Sequence, residues 1–415
     1  MTRSLSEDSA TGEVDSSYAW LRLVITLVLG TVACVGNWSV VVVLPTLQTE
    51  FDTLRGGASL PFTCTMLGFA VGGVAMGRLA DRLGIVMPVL IGAALLCAGY
   101  VLAALTSSIW QFALLSGVIG LGSAAGFAPL MSDLSHWFHK HRALAVSVAA
   151  SGSYVAGAVW PLVVEHFQSA YGWRATHIGI GLFVPLVMVP LGLALTRKPA
   201  AANYATAEAA TEVARANLGL SAGQLQGLLV VAGFACCMAM SMPQVHIVAY
   251  CGDLGYGVAV GTQILSLMLG LGVVSRLGSG VVADRIGAGP MLLIGSLMQA
   301  LALLLYLLFD SLSSLWVIAG LFGLFQGGIV PMYAVIIRQF LPPREAGTRI
   351  SLVLMASVLG MAFGGLAAGF IYDATQSYRL AFLHGLLWNL VNLALVAWLL
   401  VWPKWRPRGR AAMAG

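Results

Sequence analysis

Along this chain apolar residues come in long runs, and polar residues collect in short gaps between them. Twelve runs stand out, over 20–44, 58–80, 86–106, 109–132, 143–165, 176–196, 225–251, 258–283, 289–309, 314–337, 347–371 and 378–402. Each is close to the roughly 20 residues that a helix needs to cross a bilayer. A helix also satisfies its own backbone hydrogen bonds where there is no water to do so. The pattern predicts an all-α membrane protein with twelve transmembrane helices. Composition agrees: 59% of the 415 residues are hydrophobic and 9% are charged. A mean hydropathy of +0.91 is more than a soluble core could bury.

The gaps organise the runs. "GRLADRLG" (77–84) follows the second run and "GVVADRIG" (280–287) follows the eighth, one G-x-x-x-D-R-x-G pattern displaced by 203 residues. The chain thus reads as a duplication. Two pseudo-symmetric six-helix bundles, 20–196 and 223–403, are joined by an alanine-rich polar linker, 197–222, and flanked by a polar tail, 1–19, and a basic tail, 404–415. The first tail carries Glu7, Asp8, Glu13 and Asp15 in place of the basic start of a secretory signal, so the run after it reads as an uncleaved first span.

Placing the N-terminus inside puts seventeen of the 21 lysines and arginines on the cytoplasmic side, Arg22 among them, as the positive-inside bias requires. Both termini are then expected in the cytoplasm, in a multi-pass inner-membrane protein that works as a monomer in the lipid bilayer. The net charge of +5 follows from this bias and gives no support to a nucleic-acid partner. The six cysteines fall within or at the ends of spans, without metal-ligand spacing, so they read as small packing residues; neither a metal nor a cofactor is expected.

Parallel six-span repeats describe a class of secondary carrier whose substrate site lies near the midplane between the halves. The repeated D-R loops resemble the signature of the major facilitator superfamily, and the resemblance covers the whole chain. Within it, "WFHKHRALAVSVAASGS" (137–153) resembles the signature at the fourth and fifth helices of the monocarboxylate transporters. "YGWRAT" (171–176), "VHIVAYCGDLG" (245–255) and "SRLGSGVVADRIG" (275–287) are similar to that group and to its bacterial oxalate/formate antiporter relatives. In the loops, Asp81 and Arg82 sit between Gly77 and Gly84, and Asp284 and Arg285 between Gly280 and Gly287. Adjacent opposite charges on a Gly-flanked turn can bridge neighbouring helix ends, so these residues are expected to form a cytoplasmic gate.

One cation does not fit the scaffold. Arg276 lies inside the eighth run, and the repeat offset places Gly73 at the equivalent position, so this charge is not part of the duplicated frame. It stands eight residues before Asp284, about 12 Å deeper than the cytoplasmic turn. Arginine at that depth costs at least about 2.5–3.5 kcal/mol, so it should face a watery cavity and meet an anion. Of the 16 acids, only Asp133, near the inner end of the fourth run, could serve as a protein partner. Otherwise the anion is the cargo, because a planar guanidinium grips a carboxylate through two parallel hydrogen bonds. The resemblance agrees: those carriers use an arginine at this place to bind substrate carboxylate.

Departures refine the expectation. Oxalate carriers of that type add a lysine on the eleventh helix, but "SLVLMASVLGMAFGG" (351–365) has none, which favours monocarboxylates over dicarboxylates. Animal monocarboxylate carriers have an aspartate one turn before the arginine, where this chain has Gly272. An anion entering a negative interior needs a co-transported proton or exchange against another anion, at about 2.3 kcal/mol per 100 mV. His246 titrates in the right range and is the candidate proton carrier, with Asp133 second; the alternative for His246 is a neutral ring donating to substrate or backbone. Other polar or aromatic groups at mid-span depth are Asn37, Trp38, Tyr154, Gln326 and Tyr333, expected to line the cavity because lipid would not tolerate them well. The sequence therefore predicts a carrier of small organic monocarboxylate anions working by alternating access, not an enzyme; the rival is a proton-driven exporter of drugs or other small molecules.

Overall fold

The computed structural model describes residues 15–134, 137–138, 142–197, 220–341 and 346–405, with the side chains of 81, 142–144, 284, 346–347 and 402–405 set aside. Most of the tail 1–19, most of the linker 197–222 and residues 406–415 lie outside the described residues, as do the side chains of Asp81 and Asp284.

Eleven helical stretches are long and apolar enough to cross a membrane, and one of them, Ala145–Leu193, folds back at Gly172 (φ 80°, ψ 160°) into two legs. That makes twelve passes, as the runs predicted. Three passes are interrupted. The first breaks at Cys34, between Ser17–Ala33 and Val35–Glu50. The fourth breaks at the 3-10 turn Ala124–Gly126, and the tenth between Leu312–Gln326 and Ile329–Phe340. The fifth also changes register, between Arg142–Ala150 and Gly152. Twelve passes place the start of the first pass and the close of the last at one end of the molecule, the near end; Glu50, Arg55, Asp253 and Asp373 mark the far end.

The duplication is visible atom by atom. Ser108 caps the fourth pass by accepting from the Gln111 N–H, and Ser311, 203 residues on, caps the tenth from the Ser314 N–H. Gly120 lets the fourth pass lie against the Thr65 carbonyl of the second, and Gly323 lets the tenth lie against the Met268 carbonyl of the eighth; a Cβ at either would collide. The final glycines of the two loop motifs, Gly84 (φ 85°) and Gly287 (φ 91°), hold left-handed positions that end the second and eighth passes, with their N–H groups on Ala80 and Ala283 at 2.8 Å. Arg82 and Arg285 are exposed at those helix ends.

Arg22, counted among the basic residues of the cytoplasmic side, does not reach solvent. It is fully buried at the near end of the first pass and pairs with Asp133 of the fourth, Nη2 and Nε lying 2.8 and 2.9 Å from Oδ2. Its Nη1 donates to Tyr18 Oη and the carbonyls of Leu195 and Arg197, and its guanidinium sits 4.6 Å over the Trp137 ring. Asp133 is thereby bound into the first bundle.

Candidate functional site: a cationic cavity between the two halves

Between the bundles lies a cavity of about 160 Å³ whose walls come from both halves: Asn37, Trp38, Phe62, Met66, Phe69, Phe127 and Tyr154 from one, Cys237, Met240, Gln244, Arg276 and Met355 from the other. An apolar cavity of about 150 Å³ accommodates benzene, so this one has room for a small organic acid. Its walls are mostly aromatic and aliphatic, and Arg276 is the one permanent charge among the described residues that line it.

How the chain holds Arg276 can be traced to backbone breaks. Nε donates to the Gly327 carbonyl at 3.2 Å and Nη1 to the Ala150 carbonyl at 2.6 Å. The Gly327 carbonyl lies in the break of the tenth pass, and the Ala150 carbonyl also accepts from Ser153 Oγ at 3.2 Å. Four residues after Gly327 comes Pro331, which has no N–H to give. Four residues after Ala150 comes Tyr154, whose N–H turns to Ser151 at 3.0 Å where the fifth pass changes register. A carbonyl left without its backbone donor in a low-dielectric interior needs another, and the guanidinium supplies one to Gly327 and shares Ala150 with the Ser153 hydroxyl.

Those bonds use two of its five N–H donors. Beneath it lies the Tyr154 ring, 4.3 Å from Cζ, a cation–π contact. The ring gets that close because Gly272, one turn before Arg276, has no Cβ; one built there would run into it. The position that is acidic in animal monocarboxylate carriers is here covered by an aromatic face. Arg276 is 6% exposed and in no ion pair among the described residues. Two carbonyl dipoles and a ring soften the cost of the buried charge without neutralising it.

The other expected site residues divide. Asn37, Trp38 and Tyr154 line the cavity with Arg276. The Asn37 Oδ1 is buried with no hydrogen-bond partner, and the Trp38 Nε1 donates to the Ser153 carbonyl at 2.9 Å, tying the first pass to the fifth. Gln326 stands behind the wall, accepting from the lining residue Gln244 at 2.7 Å. Tyr333 points elsewhere in the second bundle, donating to Asn392 at 2.8 Å. His246 lies toward the far end, its Nε2 2.8 Å from the Gly365 carbonyl, and does not line the cavity. Asp133 is not within the cavity either. Gln244 and the two carbonyl acceptors were not foreseen; Pro331 was the available signal for Gly327, whereas nothing in the sequence pointed to Ala150.

A profile for the Major Facilitator Superfamily matches residues 26–322 and again 277–413. MFS-type transporter opdF of Penicillium oxalicum is 26% identical over 288 residues, 68% of this chain and 66% of that one. Monocarboxylate transporter 4 of Gallus gallus is 26% identical over 314 residues, 73% of this chain and 66% of that one. The chain thus spans just under two thirds of the length of these two relatives. A bacterial homologue of the human lysosomal transporter Spinster, crystallised inward-facing and unoccupied, shares the fold with a TM-score of 0.67 at 18% identity, covering 94% of this chain and 96% of that one. With twelve passes in two duplicated halves and a profile match over most of its length, this chain belongs to the major facilitator superfamily.

Proposed function

We propose that this chain is a transporter of small organic monocarboxylate anions, with Arg276 as the receptor for the carboxylate. The observation that carries the reading is a guanidinium buried in the cavity between the halves, held by two carbonyls and a ring and in no ion pair with a described carboxylate. One positive charge suits one carboxylate, and the apolar walls formed by Phe62, Met66, Phe69 and Met240 suit a hydrocarbon or aromatic remainder. The resemblance to carriers of monocarboxylates, in the loop and helix motifs and in a relative bearing that name, supports the same cargo.

Alternating access would follow from the site's position: the halves rock about Arg276, with the G-x-x-x-D-R-x-G turns as latches at the near end, which we place in the cytoplasm with both termini. No acid or histidine is among the described residues lining the cavity, which favours exchange against a second anion over proton symport. His246, with its ring on a backbone carbonyl, remains the candidate if a proton is carried.

The experiment is uptake of a labelled monocarboxylate panel into proteoliposomes, with wild type and Arg276→Ala, with and without a pH gradient and with counter-substrate inside. Saturable uptake stimulated by internal anion and abolished by the substitution is expected. Saturable uptake of every acid by Arg276→Ala would refute the anion receptor. A pH gradient that drives uptake without internal anion would replace exchange by symport. Uptake of neutral or cationic amphipaths instead of acids would favour the rival exporter, which the apolar walls would also suit.

A further inference from the structure

Arg276 is not the only polar link between the halves. At the far end, Arg55 opens the second pass, and its Nη2 donates to both carboxylate oxygens of Asp253, at 3.0 and 2.9 Å, across to the end of the seventh pass. Asp373, at the end of the eleventh, accepts the backbone N–H groups of Arg55 at 2.8 Å and Gly56 at 2.6 Å. The first N–H groups of a helix have no partner of their own and carry the positive end of its dipole. Leu54, at the N-cap of the second pass, has no side chain to offer them. An acid from the opposite half therefore caps this helix. The Arg55 guanidinium also lies 5.0 Å over the Tyr372 ring, and Arg55 is 5% exposed. Inward of these contacts Thr63 donates to the Ala362 carbonyl at 3.2 Å, continuing the seam between the second and eleventh passes.

The duplication offers an internal control. The offset of 203 residues carries Glu50 onto Asp253, so these acids end equivalent passes. Glu50 binds Trp173 and Arg174 of its own half, and Arg174 also donates to the Thr106 carbonyl at 3.1 Å. Asp253 binds across the interface. The same position thus holds one bundle together in the first half and joins the two bundles in the second.

We propose that Arg55, Asp253 and Asp373 form the gate that closes the transport path at the far end, and that this gate arose by redirecting one of two duplicated acids from its own bundle to the other. The inference rests on the transporter fold and holds whatever the cargo is. Opening the far end must break the Arg55–Asp253 ion pair and uncap the second pass together, whereas the Glu50 contacts ride with their bundle.

Cys237 lines the central cavity and reports on access to it. The test uses a chain in which Cys237 is the single cysteine, in right-side-out and inside-out membrane vesicles, labelled with a membrane-impermeant thiol reagent. Removing the charged bond in Arg55→Gln, or the cap in Asp373→Asn, should raise labelling from the far side about tenfold and lower it from the near side. Glu50→Gln should leave both rates unchanged, and the reversed pair Arg55→Asp with Asp253→Arg should return labelling toward the parent rate. The proposal is overturned if Asp373→Asn and Arg55→Gln leave far-side labelling unchanged, or if Glu50→Gln raises it as much as they do. Should Arg55→Gln fail to fold, Asp373→Asn and the reversed pair decide the same question.

Discussion

Arg22 and Arg276 are both buried arginines, and the structure treats them in opposite ways. Arg22 has a carboxylate at 2.8 Å, three further acceptors and an aromatic face, so its charge is neutralised inside one bundle. Arg276 has an aromatic face and two carbonyls, one from each half, with no described carboxylate in ion-pair reach. A buried guanidinium with its own anion is a joint; one held by dipoles alone keeps an attraction for an anion that arrives from elsewhere. Burial alone does not separate the two. The counter-charge does.

The largest effect expected from this contrast is on stability. Removing one member of a buried pair strands the other, at a cost of about 3–5 kcal/mol. Arg22→Ala or Asp133→Ala should therefore sharply lower the yield of folded protein and its unfolding temperature in detergent. The double change Arg22→Met with Asp133→Leu should recover much of the loss. Arg276→Ala should do the reverse, leaving unfolding nearly unchanged while transport falls by roughly a hundredfold, about what losing a charged hydrogen-bond pair costs. Arg276→Lys should recover part of it, because a point charge cannot reproduce the two-pronged contact.

Smaller changes sharpen the picture of what orients Arg276. Tyr154→Phe keeps the ring and should transport nearly normally, whereas Tyr154→Ala removes it and should weaken affinity about tenfold, in line with a desolvated cation–π contact. Gly272→Ala should resemble Tyr154→Ala, since the added methyl pushes the ring aside; an affinity equal to wild type would contradict that placement. The smallest effect is expected at Pro331. Pro331→Ala gives Gly327 an N–H partner within its own helix, which competes with Arg276 Nε, so affinity should fall a few-fold while the tenth pass becomes more stable.

The comparison also shows what the sequence could and could not convey. Twelve passes, the duplication and the asymmetry of Arg276 against Gly73 were legible because hydropathy, repeat offset and depth are one-dimensional properties. The surroundings of Arg22 were not legible for the same reason: counting basic residues assigns a side of the membrane, but cannot tell that Trp137, Asp133 and the end of the sixth pass close over that side chain. Gln326 and Tyr333 do not reach the cavity wall, because each turns to a buried amide, Gln244 and Asn392, whose place beside it the sequence does not show. His246 illustrates a third limit, since a polar residue at a plausible depth can turn one ring nitrogen to a neighbouring backbone carbonyl, here Gly365, and stay out of the cavity. The acceptors of Arg276 are main-chain atoms, and sequence marks those only where something such as Pro331 removes the usual donor.

Whether Arg276 binds the negative charge of the cargo is read most directly from binding, without the complications of turnover. Affinity for a transported acid and for its neutral amide of the same shape should be measured by calorimetry on purified wild type and on Arg276→Gln. Wild type should bind the acid and not the amide, and Arg276→Gln should lose the acid while keeping its unfolding temperature. Equal binding of acid and amide, or an acid that still binds Arg276→Gln, would contradict that role for Arg276.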